Sequence, residues 1–344
     1  MDLGALRSNV ERLRRRLPSA TRFIAVVKAN GYGHGARAVA QAALAAGAWG
    51  LAVVTLEEAA EVRDLLQPER ILVLGPLLPE DAPEAAAAGY ALGVSSLELV
   101  RALADAAGSR RVPVHLKLDT GMGRYGAQVP EFEAIARYVT NEPRLELAGT
   151  WSHLASAGFD AEYSQAQYER FMAATEGLPG IRHLANSAGA ARYPLDAVRI
   201  GIALYGCEDP FCKPALQLRA RVGHLKTVPV GMSIGYGRTW TADRPTRIAT
   251  VTIGYADGVH RVRANRGEVL VRGTRAPLIG AVSMDSITLD VSALPEVKVG
   301  DTATLIGADG DGEISAQEVA TWSETITYEV LTSIGRRVAR SYLP

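Results

Sequence analysis

Cysteine is almost missing from this 344-residue chain, with Cys207 and Cys212 its only two. Two thiols cannot build a disulfide framework, so both are expected to be reduced and structural. An excess of either charge is missing too, because 37 Lys and Arg balance 37 Asp and Glu. Without a net field nothing draws in nucleic acid or an anionic membrane, and a small neutral or zwitterionic ligand is the better expectation. No apolar run approaches the roughly 18 residues that a bilayer span needs, and the chain opens on the charged, helix-like MDLGALRSNVERLRRRL. A cytoplasmic location is expected on that basis. Solenoid repeats and low-complexity linkers are also lacking, and the six histidines show no metal-ligand spacing. No metal is expected, and His34, His115, His183, His224 and His260 read as structural or solvated.

What is present is a large apolar fraction, 48%, in a chain long enough for one barrel-sized domain and a smaller partner. Eight short runs rich in Val, Ile and Leu alternate with Ala- and Glu-rich stretches of helical period. The runs are 23–29 (FIAVVKA), 49–54 (WGLAVV), 71–76 (ILVLGP), 91–96 (ALGVSS), 113–120 (PVHLKLDT), 145–154 (LELAGTWSHL), 181–187 (IRHLANS) and 198–206 (VRIGIALYG). Eight such units predict a (β/α)8 barrel over residues 1–217. Beyond residue 218 the runs RIATVTIGYA, GEVLVRG and APLIGAVSMDSITLDVSAL are separated by turn residues with little helix, which predicts a mostly β domain over 218–344. Ser315 and Glu318 have the spacing of a helix capping box.

Reactive groups of a barrel lie at the C-terminal ends of its strands. Those ends carry Lys28 on the first strand, Lys117, Asp119 and Arg124 at the fifth, His153 on the sixth, Asn186 and Ser187 on the seventh, and Arg199 and Gly201 on the eighth. A lysine at a strand end is more often a solvated charge. Here it faces a serine-containing turn and glycine-containing backbone where barrels bind phosphate, and that company suggests a Schiff-base cofactor.

The segments VVKANGYGHG (26–35), KLDTGMGRYG (117–126), SHLASA (152–157), HLANSAG (183–189), VRIGIALYG (198–206), IGYADG (253–258) and SMDSITLDV (283–291) together resemble the alanine racemase family, in order over nearly the whole chain. The resemblance implies a pyridoxal 5'-phosphate enzyme, a barrel followed by a β domain, working as a homodimer with shared active sites. It implies that Lys28 carries the cofactor and acts as one base, and that Tyr255, from the β domain of the second copy, is the opposed base. Racemisation needs two such groups, because a proton leaves Cα on one face and returns on the other. By the same likeness His153 and Arg199 support Tyr255, and Arg199 meets the cofactor ring nitrogen. Tyr32, Ser187, Gly201 and Ile202 hold the phosphate, the last two by backbone N–H. Arg124 and Met284 meet the substrate carboxylate, and Lys117 matches a lysine carbamylated in some relatives.

Two patterns are decoys. Gly121, Gly123 and Gly126 spell a dinucleotide fingerprint, but at the fifth strand of a barrel. DGDGEISAQE (309–318) resembles part of a calcium-binding loop, yet its first ligand position is Gly307, so a tight turn feeding a capped helix is expected.

The chain also departs from the family pattern. Arg336 stands where a tyrosine is common, and Gly158 and Ala281 replace an aspartate and an arginine that lie opposite each other at the entryway. Losing one charge would strand the other at a cost of roughly 3–5 kcal/mol, whereas losing both does not, which implies a wider or less charged entrance. The family's N-terminal strand is expected to be absent. A broad-specificity or serine racemase is the neighbouring reading. A decarboxylase of this architecture would place an acidic residue where Arg199 stands, and a non-catalytic single-barrel cofactor carrier would lack the β domain and Tyr255.

Overall fold

Segments such as FIAV and GLAV have no polar face, so strands built from them must be covered on both sides. In the computed structural model, which describes residues 1–344, they are the inner staves of a closed parallel barrel. Its strands are β1 (Arg22–Val26), β2 (Gly50–Val53), β3 (Ile71–Val73), β4 (Ala91–Val94), β5 (Val112–Lys117), β6 (Leu145–Trp151), β7 (Ile181–His183) and β8 (Ala197–Ile200). Closure comes from β1 pairing with β8, Phe23 opposite Val198 and Ile24 opposite Arg199. Strands β2 to β5 are buried at every position.

Helices Ala36–Ala45, Leu97–Ala106, Val129–Asn141 and Ala161–Ala174 are among those that clothe the barrel, their apolar stripes turned inward. Their starts are set by side chains that satisfy orphan N–H groups. Ser96 accepts from the Leu99 N–H and Asp160 from the Tyr163 N–H. The seventh and eighth apolar runs outlast their strands: β7 stops at His183, and after Ile200 the chain enters a 3-10 turn, Ile202–Tyr205.

The chain divides into two compact units, Leu3–Gly31 with Gly35–Lys213, and Met1–Asp2, Tyr32–His34 and Pro214–Pro344. The second is built on β9 (Leu218–Val228), β10 (Ser233–Ile234), β11 (Trp240–Thr241), β12 (Thr246–Val251), β13 (Glu268–Val271), β14 (Thr274–Ile279), β15 (Ile287–Asp290), β16 (Thr302–Asp309) and β17 (Gly312–Ile314). Seven of these form one antiparallel sheet in the order β13-β14-β15-β12-β9-β16-β17, and β10 and β11 form a hairpin. Burial alternates along β15, as expected where one sheet face is covered and the other is not. The calcium-loop decoy is the β16–β17 hairpin, after which the Ser315 hydroxyl accepts from the Glu318 N–H and the Glu318 carboxylate from the Ser315 N–H, a capping box for Ala316–Trp322. Asp2 makes a single parallel bridge with Leu343. No helix is long and apolar enough to cross a membrane.

Candidate active site

Lys28 leaves β1 into an uncommon piece of backbone. Ala29, Asn30, Gly31 and Tyr32 follow with φ of 50°, 53°, 60° and 51°, a full left-handed turn. For residues with a Cβ this conformation costs roughly 1–2 kcal/mol each, so the surroundings must over-determine it. They do so through hydrogen bonds: Gly31 N–H donates to Val27 O at 2.8 Å, Gly35 N–H to Asn30 O at 2.8 Å, and Ala36 N–H to the Asn30 Oδ1 at 3.0 Å. Glu58, in the short helix Leu56–Ala60, adds two more. Its carboxylate accepts from the Ala29 N–H at 2.6 Å and the Val54 N–H at 2.8 Å.

Behind this turn the barrel interior is cationic. Arg199 is 3% exposed, and its Nη1 and Nη2 donate to the carbonyls of Ser152, His183 and Leu184, to His183 Nδ1 at 2.7 Å and to His153 Nδ1 at 3.2 Å. Every one of these acceptors is neutral. A guanidinium can only donate, so His183 Nδ1 must be bare and its proton must sit on Nε2. That proton points at His115 Nδ1, 2.7 Å away. Burial, and then the charge of Arg199, holds His115 at about 3 and His183 well below the usual histidine range. Both rings are therefore neutral supports. Trp151 stacks on His183 at an interplanar angle of 5°, and its indole N–H donates to His115 O.

Two lysines share this neighbourhood. The Lys28 amine is held below the usual lysine range by burial first, with Arg124 and Arg199 adding to the shift and Glu58 opposing it. Lys117 is 2% exposed, donates to Tyr125 O, and lies 3.4 Å from the Tyr125 ring centre. Burial, then Arg124, brings it down to about 8. His153 is pressed down to about 3 by burial and by Arg199 and Arg124. Arg124 itself is exposed. Asp119 accepts from the N–H groups of Gly121, Met122 and Gly123, so the fingerprint decoy is a carboxylate-held turn.

Beyond β7 the Ser187 hydroxyl accepts from the Gly201 N–H at 3.0 Å and the Ala203 N–H at 3.4 Å. Ile202 opens the 3-10 turn, where the first N–H groups lack intrahelical partners. Lys28, Arg124, His153, Ser187, Arg199, Gly201 and Ile202 thus belong to the barrel unit, at the ends of β1, β5, β6, β7 and β8.

Tyr32, Tyr255, Met284 and Arg336 belong to the other unit. Tyr255 opens a 3-10 turn, Tyr255–Asp257, and is 43% exposed. Its N–H donates to Ser283 O and that of Ala256 to Met284 O, which ties the Tyr255 turn to the loop bearing Met284. Arg337 fastens the same pair of segments, at 2.6 Å from an oxygen of Asp257 and 2.6 Å from an oxygen of Asp285. The Tyr32 ring lies 6.0 Å from that of Tyr328. Arg336 is exposed.

Sequence reasoning passed over Glu58 and Arg337, and read His115 and His183 only as structural or solvated. The one available signal was the two-residue step from His115 to Lys117, which puts both on one face of β5.

Family models describe both parts of the chain: that of the alanine racemase N-terminal domain matches residues 1–209 and that of the C-terminal domain residues 215–342. The chain is 42% identical to an alanine racemase of Symbiobacterium thermophilum over 99% of its own length and 96% of that relative. Among solved structures, it superposes on the alanine racemase of Bacillus anthracis, solved with bound L-Ala-P, with a TM-score of 0.92 at 40% identity, covering 100% of this chain and 94% of that one. The alanine racemase of the D-cycloserine producer Streptomyces lavendulae gives 0.93 at 36% identity, covering 100% and 96%. With both domain models in order and full-length relatives at this identity, the chain belongs to the alanine racemase family.

Proposed function

We propose that this isomerase interconverts L- and D-alanine with pyridoxal 5'-phosphate, using Lys28 and Tyr255 as opposed bases drawn from two copies of the chain. The observation that carries the reading is Arg199, a guanidinium buried at the end of β8 whose Nη1 and Nη2 are held by five acceptors, all of them neutral. A cofactor with an aldehyde, a ring nitrogen and a phosphate fits the groups present. Lys28 offers an amine with a lowered pKa, Arg199 a donor to a ring nitrogen, and Ser187, Gly201 and Ile202, with Tyr32, donors to a phosphate. When bound, the cofactor would withdraw electrons from the substrate Cα and acidify its hydrogen.

The chain's own groups do the rest. Burial, with Arg124 and Arg199, weakens the hold of the Lys28 amine on its proton, and Nζ would take a proton on one face of Cα. Tyr255 gives or takes the proton at its phenolic oxygen on the other face. His153 Nδ1 accepts from Arg199, so its proton is on Nε2, a donor suited to a phenolate. A guanidinium does not surrender its proton readily, so Arg199 would hold the ring nitrogen without protonating it, and the cofactor would then draw less charge from Cα, which would disfavour side reactions. Arg124 and the Met284 backbone would orient the substrate carboxylate. The β unit, residues 218–344, would deliver Tyr255 across a homodimer interface, and the enzyme would work in the cytoplasm as a source of D-alanine for cell-wall precursors. The three relatives named above, at 36–42% identity, are alanine racemases, so the serine, broad-specificity and non-catalytic readings are not favoured.

The test is chemical. Borohydride reduction of the cofactor-loaded protein followed by peptide mapping should place the pyridoxyl group on Lys28, and Lys28→Ala should abolish both labelling and racemisation. Labelling of another lysine, with Lys28→Ala still active, would overturn the proposal.

A further inference from the structure

We propose that Glu58 is the positioning residue of Lys28: its carboxylate bridges the first peptide after Lys28 to the end of β2 and so holds the left-handed turn in which the lysine stands. The inference rests on Lys28 being the cofactor-bearing base.

Four consecutive left-handed residues do not hold themselves together, and three of them, Ala29, Asn30 and Tyr32, carry a Cβ. Ala29 is the first of the four, and its N–H is the donor that Glu58 takes at 2.6 Å. The other carboxylate oxygen takes the N–H of Val54, the residue that directly follows β2, at 2.8 Å. Glu58 is itself fixed, since its own N–H donates to the Thr55 hydroxyl at 3.2 Å in the N-cap of Leu56–Ala60. One side chain therefore ties β1 to β2 at the point where Lys28 emerges, with charge-assisted bonds of the stronger kind. The second consequence is electrostatic. The charged groups that bear on the Lys28 amine are Arg124, Glu58 and Arg199, and Glu58 is the one that favours the ammonium form. Loss of its charge should push the amine further down.

Glu58→Gln separates these effects from general packing, because the amide keeps the volume but offers one acceptor oxygen to two donors. Amide hydrogen exchange across residues 28–32 of the full-length protein should rise about ten- to hundredfold, the loss expected for one bond to a charged group. Reductive methylation of the cofactor-free chain with formaldehyde and borohydride, read by mass spectrometry across pH, should show the Lys28 midpoint moved to lower pH. The cofactor-loaded variant should lose about tenfold or more in kcat with little change in KM, because a misplaced base costs the chemical step. Glu57→Gln, at the exposed neighbouring position, should alter none of these.

Exchange across 28–32 unchanged within about twofold in a folded Glu58→Gln protein overturns the proposal, whatever the activity. A global loss of fold in both Glu58→Gln and Glu58→Asp overturns it too, since Glu58 would then act on the whole barrel. Failure of the Lys28 assignment would show separately, as a borohydride label on another lysine in the unsubstituted protein.

Discussion

Replacing His115 by asparagine should make the protein less sensitive to acid, and the size of the change follows from where the ring sits. His115 is 4% exposed, its Nδ1 is 2.7 Å from His183 Nε2, and burial with the charge of Arg199 holds it near 3, against 6.5 for a free histidine. Between those values the unfolded chain binds a proton that the folded chain refuses. Stability contributed by the neutral ring is therefore fully present above about pH 6.5 and is lost as pH falls toward 3, at about 1.4 kcal/mol per pH unit. By pH 5 the loss from His115 is about 2 kcal/mol. His183 is shifted in the same direction, so it steepens the acid limb further. An asparagine Oδ1 keeps an acceptor for the His183 Nε2–H but takes up no proton. Urea unfolding of the cofactor-free chain, repeated between pH 4.5 and 6 and followed by tryptophan fluorescence, should give His115→Asn a slope shallower by about 1.4 kcal/mol per unit. Carboxylates titrate alike in both proteins, so the difference isolates the ring. Parallel pH profiles would refute the claim that His115 is kept neutral beneath Arg199.

Two other substitutions probe the two halves of the site. A Cβ at Gly254 would lie 2.3 Å from both Ser283 O and Met284 O. Gly254→Ala should therefore cost about 1–3 kcal/mol in thermal unfolding, dislodge the Tyr255 turn and lower racemisation more than about tenfold; a stable variant with normal turnover would contradict the assigned packing. Arg199→Lys keeps the charge but cannot span the Ser152, His183 and Leu184 carbonyls with one nitrogen. It should destabilise the chain by about 2–5 kcal/mol and shift the absorption of the bound cofactor, and an unchanged melting temperature with an unchanged spectrum would refute the role given to the guanidinium.

The barrel was readable because parallel strands covered on both faces, such as β2 and β4, are apolar at consecutive positions with helices between them, while the runs after 218 are separated by turn residues with little helix. The strand-end rule then located Lys28, His153, Ser187 and Arg199 without reference to any relative. The left-handed turn was not readable. Gly31, Gly33 and Gly35 advertise irregular backbone, but nothing in the residue types predicts positive φ at Ala29 and Tyr32, which tertiary hydrogen bonds impose. Glu58 escaped notice for a similar reason: an Ala- and Glu-rich helix start looks solvated until its carboxylate is seen bridging two strands. His115 and His183 read as structural residues, and buried neutral rings are what they are, but their joint support of Arg199 depends on a β5–β7 proximity that only the closed barrel creates.

Complementation in a mixed dimer tests the shared two-base site most directly. Differently tagged Lys28→Ala and Tyr255→Phe chains, each inactive alone, should yield a purified heterodimer with about half the racemase activity of the unsubstituted dimer, since one site regains both Lys28 and Tyr255. A heterodimer as inactive as its parents would mean that the two groups do not meet across copies of the chain.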